Sequence, residues 1–400
     1  MVALLIFAAT LLVAVFLSEF AQRSILSTAV LFLVAGFLAG IGEWISVRPS
    51  DPVVSEFSRL ALFSVLFTDG MRVGVRDLIS AWHLPGRALL LGFPINLLLI
   101  ALLAHWITEL PWIEAFLLGA VLSPTDPVFA AAIVGREEIP NRIRHLLNVE
   151  SGVNDGLALP FVLIFLAAAS GRSADGFVLI GEVILGIALG IFVPWLILRL
   201  EKSRFFSIAT RYESFEAFAI ALLLLALASL THANEFLAAF FGGITITSSY
   251  PEVRERFHQF GERLTELLKL AALLIFGALI APEFFTGIRW PGYLLGVLIL
   301  IAVRPAALSI ALAGSSLQWR EWITVAWFGP RGFASVVFGL IILQSGIARG
   351  DEIFHLIALV VVLSILAHSS TDVLLAHHLY PDRSKGANNM LQAGERRSLN

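Results

Sequence analysis

Cysteine is absent from the 400 residues, which excludes disulfides, thiol catalysis and thiolate metal sites. Charge is scarce as well: Asp, Glu, Lys and Arg make up 14% of the chain against 58% hydrophobic residues, too little to cover a water-soluble surface. The chain has no phosphate-binding glycine loop and no Walker motif, so ATP-driven transport has no visible engine. It also lacks the short alternating segments of a transmembrane β-barrel. A formal net charge of −3 gives no electrostatic basis for a nucleic-acid partner.

What fills the chain instead is long apolar runs, with a mean hydropathy of +0.87. Each is long enough to cross a hydrocarbon core of about 30 Å as a helix. The sequence therefore predicts an all-α polytopic membrane protein embedded in a lipid bilayer. Breaking it at charged and Pro/Gly-rich stretches gives thirteen candidate spans, from Val2–Ser18 to Ile353–His377. They include a fifth at Ile113–Val134, a sixth at Leu146–Ala169, a tenth at Leu264–Pro282, an eleventh at Trp290–Ala313 and a twelfth at Glu321–Ser345. No basic leader precedes the first run, which reads as a retained helix. With the N-terminus outside, alternate loops and the C-terminal tail hold nineteen Lys and Arg on the inner side and four on the outer side. That asymmetry places the C-terminus in the cytoplasm, and a bacterial inner membrane is the default host. Residues 381–400 read as a short disordered cytoplasmic tail.

Four basic residues fall outside this count: Arg59, Lys269, Arg304 and Arg331. The last three lie at membrane depth and need partners or water there. Lys269 reads as snorkelling or pairing with Glu262 or Glu266 near the cytoplasmic edge.

Two spans carry breakers at their centres. The fifth reads GAVLSPTDPVFAA, with Pro124 and Pro127 bracketing Thr125 and Asp126; the twelfth reads AWFGPRGFASVV, with Gly329, Pro330, Arg331 and Gly332 in a row. Proline removes a backbone donor and clashes with the preceding turn, so each span is expected to open near the midplane rather than merely kink. If the seventh span is a linker, each break falls in the fifth helix of a six-helix half, and the second half inserts upside down. Interrupted helices at matching places in inverted repeats point to the binding site of a secondary transporter. Asp126 and Arg331 are then expected to neutralise the free helix ends facing them.

The sixth span contains NVESGVNDGLALPFVL, where Glu150 and Asn154, and Ser151 and Asp155, are each one helical turn apart. A charge at mid-membrane costs on the order of 3 kcal/mol on insertion scales, and more in simulations. Asp155 is the sharpest functional candidate: burial disfavours the bare carboxylate, and either a proton or a hard cation relieves that cost, which is itself an exchange mechanism. The cation would want oxygen ligands, from Asp155, Ser151 and Thr125, with Asp126 reached through water. Glu150 needs a structural partner, for which Arg304 stands first and Arg331 second. Asp69, at the end of the third span, either lines the ion path or caps its helix. His232, His368, His377 and His378 form no metal-ligand pattern.

At SPTDP, ESGVNDG and WFGPRG the chain resembles the cation:proton antiporter-1 family, the sodium/proton exchangers of the NhaP and NHE kind, with matching order and spacing over residues 1–380. The resemblance implies thirteen transmembrane helices in two inverted six-helix repeats, assembled as a homodimer. A core of helices four to six and eleven to thirteen moves against a dimerisation scaffold of helices one to three and eight to ten. It further implies that Asp155 binds the cation or the proton, with Asn154 as its partner and Thr125, Asp126 and Ser151 around the ion. Glu150 and Arg304 take the place of a structural ion pair, and Arg331 that of the basic residue at the broken twelfth helix. The Asn154–Asp155 pair, rather than two adjacent aspartates, resembles the branch that exchanges one cation for one proton without net charge movement. Gly152 and Val153 stand where many relatives have bulkier residues.

The expected activity is thus Na⁺ or Li⁺ exchange for protons in pH homeostasis, with no cofactor beyond the transported ions. K⁺/H⁺ exchange on the same fold is the main alternative. An intramembrane aspartyl protease built on Asp126 and Asp155, or a passive cation channel, are the alternatives from other classes.

Overall fold

The computed structural model describes residues 1–17, 27–45, 47–48, 51–75, 83–126, 139–171, 176–202, 213–280 and 287–380. Every regular element among them is a helix, as expected where lipid offers no partner to an open backbone. In chain order these are α1 (Val2–Phe16), α2 (Thr28–Ile41), α3 (Pro52–Arg72), α4 (Pro85–Thr108), α5 (Trp112–Leu122), α6 (Asn141–Ala169) and α7 (Gly176–Glu201). There follow α8 (Glu213–Thr231), α9 (Glu235–Ser249), α10 (Pro251–Ile280), α11 (Trp290–Ala311), α12 (Trp319–Trp327), α13 (Phe333–Gln344) and α14 (Gly350–Leu379). Among the described residues, five helices are long and apolar enough by themselves to cross a membrane: α4, α6, α7, α11 and α14. Another five apolar helices are shorter, at 10–17 residues.

Local chemistry sets several boundaries. Ser27 and Asn234 each accept a backbone N–H from the first turn of α2 and α9, and Gln318 with Glu321 forms a reciprocal capping box on α12. Two elements start earlier than their apolar runs. α6 begins at Asn141, and α10 begins at Pro251, thirteen residues ahead of the predicted Leu264, because PEVRERFHQFGER continues the helix as a polar turn-forming extension. α4 and α11 each contain one wide π turn, at Ala88–Gly92 and Ile299–Val303. Each π turn is followed at once by an X-Pro step, Phe93-Pro94 and Arg304-Pro305. A proline ring has no N–H to offer the preceding turn, and the wider turn absorbs it.

The most extensive packing joins α3 with α9, α2 with α10, and α7 with α9. These contacts are backbone against backbone: a Cβ on Gly36 would lie 2.1 Å from the Leu274 carbonyl oxygen, and one on Gly243 would lie 2.3 Å from that of Phe67. A second set joins α4 with α5, α5 with α6, α13 with α14, and α11 with both α4 and α14. The two sets meet where α6 lies on α3 and α9, and where α13 lies on α3 and α10. At that junction α6 presents Gly152 to Val73 and Gly156 to the ring of Phe240.

Candidate functional site

The helix of the fifth predicted span stops at Leu122, and Ser123–Asp126 continue without helical structure; Pro127 lies outside the described residues. In the twelfth predicted span α12 ends at Trp327 and α13 begins at Phe333. The two openings are joined, with the Asp126 N–H donating to the Pro330 carbonyl at 2.8 Å. The Asp126 carboxylate accepts the Phe333 N–H at 2.9 Å, placing a negative group on the positive N-terminus of α13. In return, Arg331 donates to the Ser123 and Pro124 carbonyls at 3.1 and 3.3 Å, at the negative end of α5, and reaches Asn96 Oδ1 at 3.5 Å. Gly332 is required by this closeness, since a Cβ there would lie 2.2 Å from Asp126 Oδ2.

The C-terminal end of α12 is covered from two other helices. Arg304 donates to the Val325 carbonyl at 3.1 and 3.3 Å, and His368 Nε2 lies 2.9 Å from the Trp327 carbonyl, which can only accept. The Arg331 N–H donates to Ser364 Oγ at 2.8 Å, and that hydroxyl lies 3.3 Å from His368 Nδ1. His368 Nδ1 also lies 2.8 Å from the Ser364 carbonyl, so both ring nitrogens face oxygens that only accept, and a neutral imidazole has one N–H to share between them. Asn96, Ser364 and His368 were not among the predicted site residues. Their signal in the sequence is faint: a lone amide in FPINLLLI, and a hydroxyl and an imidazole one turn apart in an apolar helix.

Glu150 and Arg304 meet as a bidentate pair, at 2.7 and 2.9 Å, both buried. Arg331, the second candidate for Glu150, is engaged with carbonyls instead. A small cavity lies beside this pair, lined by Phe93, Asn96, Ser123, Glu150, Asn154 and Arg304.

Next to this cavity a cluster of oxygens gathers on α6. Asn154 Nδ2 donates to Thr125 Oγ1 at 2.7 Å, and Thr125 Oγ1 lies 3.2 Å from Ser151 Oγ. Asn154 Oδ1 is buried with no hydrogen-bond donor, and so are both carboxylate oxygens of Asp69. Asp155 is 3% exposed, and the charged groups that act on it are Asp69, Asp126 and Lys269. Asp69 is 1% exposed, faces Arg72 at 3.6 Å and caps nothing. Thr125, Ser151 and Asn154 are thus joined directly, Asp69 and Asp155 lie within electrostatic reach, and Asp126 is taken up by α13.

Lys269 departs from the sequence reading. It does not snorkel to the cytoplasmic edge: it is 8% exposed, and its ammonium lies 3.9 Å from Asp126 Oδ1.

The chain has relatives among known proteins. It is 24% identical over 368 residues to the K⁺/H⁺ antiporter NhaP2 of Shewanella baltica, covering 90% of this chain and 63% of that protein. It is 27% identical over 346 residues to the K⁺/H⁺ antiporter NhaP of Alkalimonas amylolytica, covering 84% of this chain and 59% of that one. It therefore spans about three fifths of the length of these relatives. Its fold is similar to that of the sodium proton antiporter MjNhaP1 from Methanocaldococcus jannaschii, with a TM-score of 0.77, 18% identity, and 95% of this chain and 98% of that chain covered. The family described as sodium/hydrogen exchanger, transmembrane, matches residues 7–377. With crossed helix breaks, a buried acid beside bare oxygens and a family match over nearly its whole length, the chain belongs to the transmembrane sodium/hydrogen exchangers.

Proposed function

We propose that this chain is a secondary active transporter that exchanges a monovalent cation, Na⁺ or Li⁺, for a proton, one for one. Asp155 is the site both ions share. The observation that carries the reading is a buried acid, Asp155, within electrostatic reach of Asp69, with the Asp69 carboxylate and the Asn154 Oδ1 buried and without a hydrogen-bond donor. Asp69 and Asp155 act against each other in a desolvated site, and a proton or a cation entering it relieves that repulsion. Hard cations take oxygen ligands, and Thr125, Ser151 and Asn154 supply uncharged ones. Asn154, standing where a second acid would bring a second proton, supports electroneutral stoichiometry.

The wider arrangement belongs to the same proposal. Thirteen helices form two inverted six-helix repeats, α12 and α13 together making one interrupted span. Helices four to six and eleven to thirteen form a core that carries the site, helices one to three and eight to ten a scaffold, and the seventh links the halves. The core moves against the scaffold and exposes Asp155 to either side in turn, in a homodimer whose N-terminus lies outside and whose C-terminus lies in the cytoplasm. Membership of a transporter family removes the aspartyl-protease alternative.

Potassium is the second reading, favoured by the names of the curated relatives. Proteoliposomes with a preset pH gradient separate the possibilities. Addition of Na⁺, Li⁺ or K⁺ should collapse the gradient without generating a voltage, and the effective ion names the substrate. A voltage following the cation gradient at constant pH would indicate a channel and sink the proposal.

A further inference from the structure

We infer that Lys269 is an affinity-setting residue: a tethered cation on α10 that competes with the transported cation for the acidic cluster around Asp155. The inference rests on the exchange reading above. Its basis is the ammonium of Lys269, buried inside the protein and 3.9 Å from Asp126 Oδ1. A buried amine needs a counter-charge, and the acids within its reach are those of the proposed ion site. Asp126 Oδ2 is committed to the Phe333 N–H, which leaves Oδ1 as the oxygen facing the ammonium. Lys269 also acts on Asp69 and on Asp155.

The other charges at this junction do not substitute for it. Arg72 on α3 lies 3.6 Å from Asp69 and 3.2 Å from Glu262 and also acts on Asp126, whereas the positive charge acting on Asp155 is that of Lys269. Arg331 is turned to the α5 carbonyls, and Arg304 to Glu150. Lys269 is thus the fixed positive charge that Asp126 and Asp155 share. A fixed positive charge a few ångströms away lowers the attraction of an acid site for any incoming cation, while keeping the empty site from standing as two bare acids. Lys269 therefore holds the site weak enough to release its ion. The ammonium comes from α10, which packs mainly on α2, α8 and α3, while Asp126 belongs to the crossed breaks. The competing charge and the acid it faces are thus carried by different helix groups.

The test uses full-length protein in proteoliposomes at alkaline pH, where proton competition is least, and measures half-saturation and maximal rate for Na⁺, Li⁺ and K⁺. K269M and K269Q should lower the half-saturation concentration about tenfold or more, the effect of losing one like charge at this range. Lys269→Arg should restore the wild-type value. A merely structural lysine predicts the opposite: falling maximal rate and thermal stability, with half-saturation unchanged or raised, and that result overturns the inference. K269Q retains a donor toward Asp126 and carries the prediction if K269M does not fold. Wild-type protein that exchanges none of the three cations would overturn the functional reading itself, a different result from an active wild type with unaltered variants.

Discussion

Asp126 closes the N-terminus of a helix it does not belong to: its Oδ2 accepts the Phe333 N–H at 2.9 Å, while its own N–H donates to Pro330. An N-terminal cap exchanged for alanine costs about 1 kcal/mol, up to about 2 in favourable cases, whereas asparagine keeps an acceptor. Asp126→Ala should therefore melt well below Asp126→Asn in detergent. Equal melting temperatures would show that the cap does not hold α13.

The Glu150–Arg304 pair leads to a second expectation. Removing one partner of a buried ion pair costs about 3–5 kcal/mol, because the remaining charge has no compensation, while removing both is far milder. Glu150→Gln and Arg304→Gln should each destabilise strongly, and the double variant by less than the sum. Arg304 also holds the Val325 carbonyl, so Arg304→Gln should be the worse of the two singles. A thermal-unfolding double-mutant cycle measures this, and an additive result would mean the pair is not coupled.

The sequence made some of this geometry legible and hid the rest for physical reasons. The openings at Ser123–Asp126 and Phe328–Gly332 follow from Pro124, Gly329 and Pro330, which cannot serve a regular helix. Arg304 is the lone charge of its apolar run and Glu150 one of two acids in its own, and buried charges of opposite sign at such depth must find each other. Lys269 pairs with Asp126 of a different span, and spacing along one helix, which points to Glu262 and Glu266, does not report such a partner. The π turns before Pro94 and Pro305 change hydrogen bonding without changing composition, so periodicity does not report them. His368 and Ser364 bond to backbone groups of Trp327 and Arg331, and backbone partners leave no trace in residue types.

Gly332 and Gly329 offer a steric test. A Cβ on Gly332 would lie 2.2 Å from Asp126 Oδ2, and one on Gly329 would lie 2.2 Å from Arg304 Cζ, whereas one on Gly181 meets nothing within 4 Å. Forcing a methyl into a filled space costs about 1–3 kcal/mol. Gly332→Ala and Gly329→Ala should lose stability and exchange together, and Gly181→Ala should be neutral or gain roughly 0.5–1 kcal/mol as a helical substitution. Normal exchange by Gly332→Ala would mean that the crossed breaks are not closed this tightly during transport.

Thr125 separates the hydrogen-bonding role of the oxygen cluster from its proposed role toward the ion. Its hydroxyl accepts from Asn154 Nδ2 at 2.7 Å and lies 3.2 Å from Ser151 Oγ. Thr125→Ser keeps this oxygen and should preserve both stability and exchange. Thr125→Val keeps the shape but strands the buried Asn154 donor, at a cost of about 1–3 kcal/mol. If the same oxygen serves the ion, Thr125→Val should also raise the half-saturation concentration for the cation, by about tenfold for each 1.4 kcal/mol of lost interaction. Asp155→Asn, nearly isosteric but unable to hold a negative charge, should fold normally and exchange nothing. The two variants fail in different ways because an uncharged ligand tunes how tightly a cation is held, while the charged one decides whether a proton and a cation can replace each other. Measuring half-saturation and maximal rate for both distinguishes these failures: exchange surviving in Asp155→Asn would remove the shared site, and an unchanged half-saturation in Thr125→Val would remove Thr125 from it.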